Sequence, residues 1–311
     1  MTRHFLRDDD LSPAEQAEVL ALAADLKRAP YADRSLAGPR TVAMIFDKQT
    51  LRTQASFAAG IAELGGFPMQ VDGRLAGIGE RESVADVARV LGRQASVVVW
   101  RTSGQERIEQ LAAHAGVPVV NALTDDFHPC QLLADLQTVQ EHLGRLAGVT
   151  VTFLGDGCSN MGHSWLLAGA TAGMHVRIAA PGGFAPQADV VARAGEIAAT
   201  TGGSVTLETD PGLAATGSDV LVTDTWVSMG REAESADRLA ALAPYRLTEE
   251  LVALGSTEAI AMHCLPAYRD KEIAAEVIDG PRSVVWDEAE NRRHAQKAIL
   301  AWLLREGGAA S

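Results

Sequence analysis

The chain has 311 residues, of which 47% are hydrophobic and 22% charged, and its formal net charge is −13. That length suits two domains with substantial cores. The acidic balance argues against broad binding to nucleic acid or anionic membranes, so an anionic small ligand would need a local cluster of cations.

The first segment, MTRHFLRDDD, is too polar for a secretory signal, and no apolar run is long enough to cross a membrane. Ser12-Pro13-Ala14-Glu15 reads as a capping box with proline at the first helical position, and leucines 20, 22 and 26 mark the helix behind it. Strand-like runs at 41–46, 67–71, 96–100 and 117–120 then alternate with helical ones near 52–64, 83–92 and 105–115. A long helical pattern from Cys130 to Leu146 bridges two halves. The second half opens at Val149-Thr150-Val151-Thr152-Phe153-Leu154 and continues with strand-like runs at 175–180, 204–208, 219–223, 259–263 and 283–286. A last helix is expected at about 289–306. Alternation of this kind predicts an α/β chain with two doubly wound parallel-sheet domains joined by a long helix. The expected domains are 1–133 together with 287–311, and 134–286.

Ligands in open parallel sheets bind beyond the carboxyl ends of the strands. Arg52, Arg101, Asn121, Asp156, Asp224 and His263 all stand at or just past such ends. Arg52 and Thr53 open a helix after the strand that ends at Phe46, and a helix N-terminus with an arginine and hydroxyls suits a phosphate. His128 and Gln131 flank a helix start and offer an imidazole and an amide. Asp224 follows Val220-Leu221-Val222-Thr223 and could pair with an ammonium group or cap a turn. Taken singly, each has a plainer reading: a solvated arginine, a loop histidine, a capping aspartate. Met229 alone reads as core, and Cys264 as a small buried hydrophobe. Strand alternation would aim His263 away from Cys264, leaving the thiol without a base.

Other chemistries find less support. Gly155-Asp156-Gly157 begins like a dinucleotide loop, but Asn160 takes the place of its third glycine, and the next strand ends in Ala179-Ala180-Pro181 without an acid for a ribose. No metal-spaced Cys/His set, Walker loop or G-x-S-x-G motif occurs, and Asp287-Glu288-Ala289-Glu290 reads as an acidic helix start. The cysteines at 130, 158 and 264 form no CxxC and cannot all pair, which favours a reducing, cytoplasmic setting.

Trp100-Arg101-Thr102, His128-Pro129-Cys130-Gln131, Asp224-Thr225-Trp226-Val227-Ser228-Met229-Gly230, His263-Cys264-Leu265-Pro266 and Glu290-Asn291-Arg292 together resemble the ornithine carbamoyltransferase family, in that family's order. The resemblance spans nearly the whole chain, from Arg3-His4-Phe5 to the helix near Trp302. It implies transfer of the carbamoyl group of carbamoyl phosphate to the δ-amine of L-ornithine, giving L-citrulline and phosphate, with no metal and no organic cofactor. It also implies a homotrimer with sites at subunit boundaries, and a C-terminal helix that packs back on the first domain. Carbamoyl phosphate would be held by Thr50, Leu51, Arg52, Thr53, Arg101, His128, Pro129, Cys130, Gln131, Cys264, Leu265 and Arg292. Ornithine would be held by Asn160, Asp224, Ser228 and Met229. Arg101, His128 and Cys264 would be the catalytic groups, with Cys264 orienting the amine rather than forming a covalent intermediate. Two departures stand out. The family's loop reads Ser-Thr-Arg-Thr-Arg where this chain has Thr50-Leu51-Arg52-Thr53-Gln54, and Gly77 stands where the family offers a glutamine to a neighbouring subunit. Arg74 or Arg81 could compensate. The departures keep open a paralogue acting on another amine, and a binding or assembly subunit of low activity.

Overall fold

The computed structural model describes residues 2–48, 50–227 and 235–308. The chain divides into two compact units, Met1–Gln137 with Glu290–Ser311, and Thr138–Ala289.

The first unit holds four parallel strands, β1 (Thr41–Phe46), β2 (Phe67–Asp72), β3 (Val97–Arg101) and β4 (Val119–Leu123), in the order β2-β1-β3-β4. After its first residue β1 is buried throughout, as its unbroken apolar run requires of a strand covered on both faces. The chain leaves β1 for β2 on one side and returns to β3 on the other. The crevice of this sheet therefore opens beyond the carboxyl ends of β1 and β3. The capping box forms as expected: the Glu15 amide donates to Ser12 Oγ at 3.3 Å, and the Ser12 amide to Glu15 Oε2 at 2.8 Å. The C-terminal helix, Val285–Gly308, packs in this unit. Its buried Lys297 donates to Glu63, to the Leu26 carbonyl at 3.1 Å and to the Pro30 carbonyl at 3.3 Å. Gly60 admits this approach, since a Cβ there would lie 3.0 Å from Lys297 Cγ.

The second unit holds β5 (Thr150–Leu154), β6 (His175–Ala179), β7 (Ser204–Glu208), β8 (Val220–Thr223) and β9 (Ile260–His263), all parallel, in the order β7-β6-β5-β8-β9. Here the order reverses between β5 and β8, whose carboxyl ends lead into Gly155-Asp156 and Asp224. The strand expected at 283–286 does not form. Ser283 makes only an isolated bridge to Ala261, and helix Val285–Gly308 begins at once. Asp287 and Glu288 in the first turn favour that early start by complementing the helix dipole. Among the described residues no helix is long and apolar enough to cross a membrane.

Candidate active site

In the first unit the residues after β1 turn into helix Leu51–Glu63, with Thr50 at its N-cap. Thr50 makes no side-chain cap bond; its Oγ1 instead accepts from Arg101 Nη1 at 3.2 Å. The amides of the first turn are thus not taken by the capping side chain, which suits an anion. Thr53, wholly buried, accepts from Arg292 Nη2 at 3.0 Å and from Arg101 Nη1 at 3.4 Å. Two guanidiniums from distant parts of the sequence therefore converge on one hydroxyl in the first turn of this helix. Arg52 is half-buried in the same turn, while the Leu51 side chain is 79% exposed.

His128 is buried, and burial together with the charges of Arg292 and Arg101 holds its pKa well below the usual 6.5. It is a neutral imidazole near neutral pH, with one N–H to donate. Pro129 and Cys130 start the next helix. Cys130 is buried, with its thiol donating to the Asn121 carbonyl at 3.3 Å and its pKa pushed up to about 12 by burial, so it is no thiolate. Gln131 donates to Asp135 Oδ1 at 2.8 Å, one turn along the same helix.

The second unit gathers a different set. Asn160 opens helix Asn160–Thr171 and is half-buried, with Ser159 as its N-cap accepting from the Gly162 amide at 3.2 Å. Asp224 follows β8, and Cys264 Sγ donates to its Oδ1 at 3.2 Å. Burial raises the Asp224 pKa, with neighbouring His263 and the Cys264 hydrogen bond offsetting part of the effect. Ser228 and Met229 lie outside the described residues.

His263 does not point away from Cys264. One ligand atom each of Asp224, His263 and Cys264 lies within 4.8 Å of the others. The alternation fails because β9 ends at His263 and the backbone turns left-handed at Leu265, with φ of 57°. The Leu265 amide donates to His263 Nδ1 at 2.9 Å, which assigns the ring proton to Nε2, the donor to Glu272 Oε1 at 3.3 Å. Both ring nitrogens and the thiol are thus engaged within the protein, so the trio reads as a hydrogen-bonded cluster rather than as a cation cage. Of the two residues that the resemblance groups with the phosphate set, Cys264 donates to Asp224 and the Leu265 amide to His263.

Two further residues brace these loops without a local sequence signal. Arg238 is buried, pairs with Asp156 after β5, donates from Nε to the Trp226 carbonyl at 2.9 Å and lies over the Phe184 ring at 5.0 Å. It thereby ties the loop after β5 to the Asp224-Thr225-Trp226 segment. Asp47 accepts from Trp100 Nε1 at 3.0 Å and from Thr102 Oγ1 at 2.7 Å, the two neighbours of Arg101. Neither residue belongs to a local pattern, so only the order of the strands reveals them.

Residues 3–141 match the carbamoyl-P binding domain of the aspartate/ornithine carbamoyltransferases, and residues 147–303 match their Asp/Orn binding domain. An ornithine carbamoyltransferase of Clavibacter sepedonicus is 64% identical over 306 residues, covering 98% of this chain and 100% of the relative. The crystal structure of the ornithine carbamoyltransferase from Gloeobacter violaceus is 43% identical with a TM-score of 0.88, covering 97% of this chain and 98% of that one. The ornithine carbamoyltransferase from Pyrococcus furiosus is 40% identical with a TM-score of 0.92, covering 96% of each chain. With both domain types matched in order along its length, this chain belongs to the aspartate/ornithine carbamoyltransferase family.

Proposed function

We propose that the chain is an ornithine carbamoyltransferase, converting carbamoyl phosphate and L-ornithine to L-citrulline and phosphate. The observation that carries the reading is the convergence of Arg101 and Arg292 on Thr53, at a helix start whose N-cap side chain leaves the first-turn amides to a ligand. The neutral δ-amine of ornithine attacks the carbamoyl carbon. As the C–N bond forms, charge builds on the carbonyl oxygen; as the C–O bond breaks, it passes to the leaving phosphate, which takes up the proton that the nitrogen sheds. Arg52, Thr53, Arg101 and Arg292 hold the phosphate and meet its growing charge, while His128 donates its single N–H to the carbonyl oxygen. Fixed donors aimed at developing charge are the usual source of large rate effects. Asn160, Asp224, Ser228 and Met229 hold the zwitterionic end of ornithine, and Cys264 orients the amine. The chemistry needs no metal or organic cofactor.

The working form we propose is a homotrimer in the cytoplasm. Three free thiols fit a reducing compartment, and Leu51, Phe67 and Leu75 present exposed apolar side chains in the first unit that an oligomer would cover. The test is calorimetric titration with Nδ-(phosphonoacetyl)-L-ornithine, which joins the phosphate-like and amino-acid parts in one molecule. Binding far tighter than that of carbamoyl phosphate or ornithine alone, and weakened by Arg101→Ala, supports the reading. Affinity no better than that of ornithine alone rejects it.

A further inference from the structure

We propose that Asp47 is the positioning residue for Arg101, and through it sets the affinity and reactivity of carbamoyl phosphate; this rests on the function proposed above. Strand alternation puts Trp100 and Thr102 on the side opposite Arg101. Both are wholly buried, and each has a polar hydrogen that needs an acceptor. The Asp47 carboxylate supplies both, with Oδ1 taking the indole N–H at 3.0 Å and Oδ2 the Thr102 hydroxyl at 2.7 Å. The Asp47 amide donates to the Arg101 carbonyl at 3.0 Å. Three consecutive residues are thus fixed by one.

The grip falls where the sheet is irregular. β3 pairs with β4 as Trp100↔Asn121 but Arg101↔Leu123, a register shift between Trp100 and Arg101. The extra residue is Ala122 of β4, while β3 keeps its register with β1 through Phe46↔Arg101, so on the β4 side the ladder slips at Arg101 and its backbone needs a hold from elsewhere. Arg107 braces the same point: its guanidinium lies 5.2 Å from the Trp100 ring centre and donates to Asp47 Oδ2 at 3.5 Å and to the Ile78 carbonyl at 2.9 Å. Gly73 leaves the carboxylate its room, since a Cβ there would lie 1.9 Å from Asp47 Oδ1. Asp47 follows β1 directly, three residues before Thr50, whose hydroxyl accepts from Arg101.

The experiment compares the parent with Asp47→Ala, Asp47→Asn and Gly73→Ala in steady-state citrulline formation and in calorimetric titration with carbamoyl phosphate. Asp47→Ala is expected to lower kcat/KM for carbamoyl phosphate about 100-fold, the scale of a small misplacement of a catalytic group. Asp47→Asn, which keeps one acceptor for the indole, should recover part of that loss. Gly73→Ala should reproduce it without touching Asp47 and serves where Asp47→Ala does not fold. The KM for ornithine should stay within about twofold of the parent's, a split that mere loss of folded protein does not produce. Folded Asp47→Ala and Gly73→Ala proteins with the parent's constants for carbamoyl phosphate overturn the proposal. A parent that makes no citrulline rejects the proposed function instead. The calorimetry then judges Asp47 alone: carbamoyl phosphate binding lost in both variants upholds its role, and binding retained ends it.

Discussion

Replacing Thr53 by valine tests the anion site at its most buried point. Valine keeps the β-branched shape, so the change removes one hydroxyl from a wholly buried position with little change in volume. That hydroxyl accepts from Arg292 at 3.0 Å and from Arg101 at 3.4 Å. The longer contact is at the edge of a useful hydrogen bond, so the Arg292 bond carries the loss. A hydrogen bond to a charged group contributes about 1.5–3 kcal/mol net. At about 1.4 kcal/mol per tenfold, kcat/KM for carbamoyl phosphate should fall roughly 10- to 100-fold. The loss belongs to the phosphate half, so the KM for ornithine should change little. The assay is initial-rate citrulline formation with each substrate varied in turn, on protein shown to be folded by near-ultraviolet circular dichroism. A folded variant whose kcat/KM for carbamoyl phosphate stays within about threefold of the parent's would refute the reasoning, because the two arginines would then hold their places without Thr53.

Cys264→Ser should retain an appreciable share of activity: the thiol donates to Asp224, a serine hydroxyl can do the same, and the adjacent Nδ1 is already an acceptor for the Leu265 amide. Intact-mass analysis during turnover that found a carbamoyl adduct on Cys264 would defeat this. Burial and neighbouring cations lower the pKa of His128 well below 6.5 and that of His294 to about 4, so below 6.5 the folded chain binds fewer protons than the unfolded one. The stability these residues give is complete above 6.5 and is lost as the pH falls toward 4. His294→Asn should therefore show a smaller drop in Tm between about pH 7 and about pH 5 than the parent, and an equal drop would refute the linkage. Gln54→Arg should tighten carbamoyl phosphate binding roughly tenfold by adding one charge-assisted contact, which calorimetry reads directly. Adding Gly77→Gln should lower Tm, because Gly77 sits at φ 62° with its would-be Cβ 3.0 Å from Arg81 Cβ, and a side chain in that left-handed conformation costs about 1–2 kcal/mol.

Much of the fold was legible because alternating apolar and helical segments report burial locally. The run Val42–Phe46 is buried as a central parallel strand should be, and the strand ends then indicate where ligands gather. Arg52, Arg101 and Asp224 were placed by that rule. The failures have a common cause, which is that single turns and long-range pairs carry no period. The segment at 283–286 has strand-like residues, yet the acidic turn behind it begins a helix first. His263 and Cys264 were separated by an alternation that stops where the strand does. Asp47 lies 53 residues from Trp100 and Asp156 lies 82 from Arg238, so neither partnership leaves a trace in any local window. Gly77, which stands where the family offers a glutamine, is also the left-handed cap that closes helix Gly73–Ala76, a conformation its neighbours in sequence do not report.

The measurement that tests the central claim most directly is an acceptor comparison. Release of phosphate and formation of the carbamoylated product are followed with carbamoyl phosphate and, at equal concentration, ornithine, putrescine, N-acetylornithine, lysine or aspartate. The account predicts that ornithine is the best acceptor by a clear margin, with citrulline and phosphate appearing in equal amounts. A clear preference for any other amine, or phosphate release that ornithine does not accelerate, would contradict it.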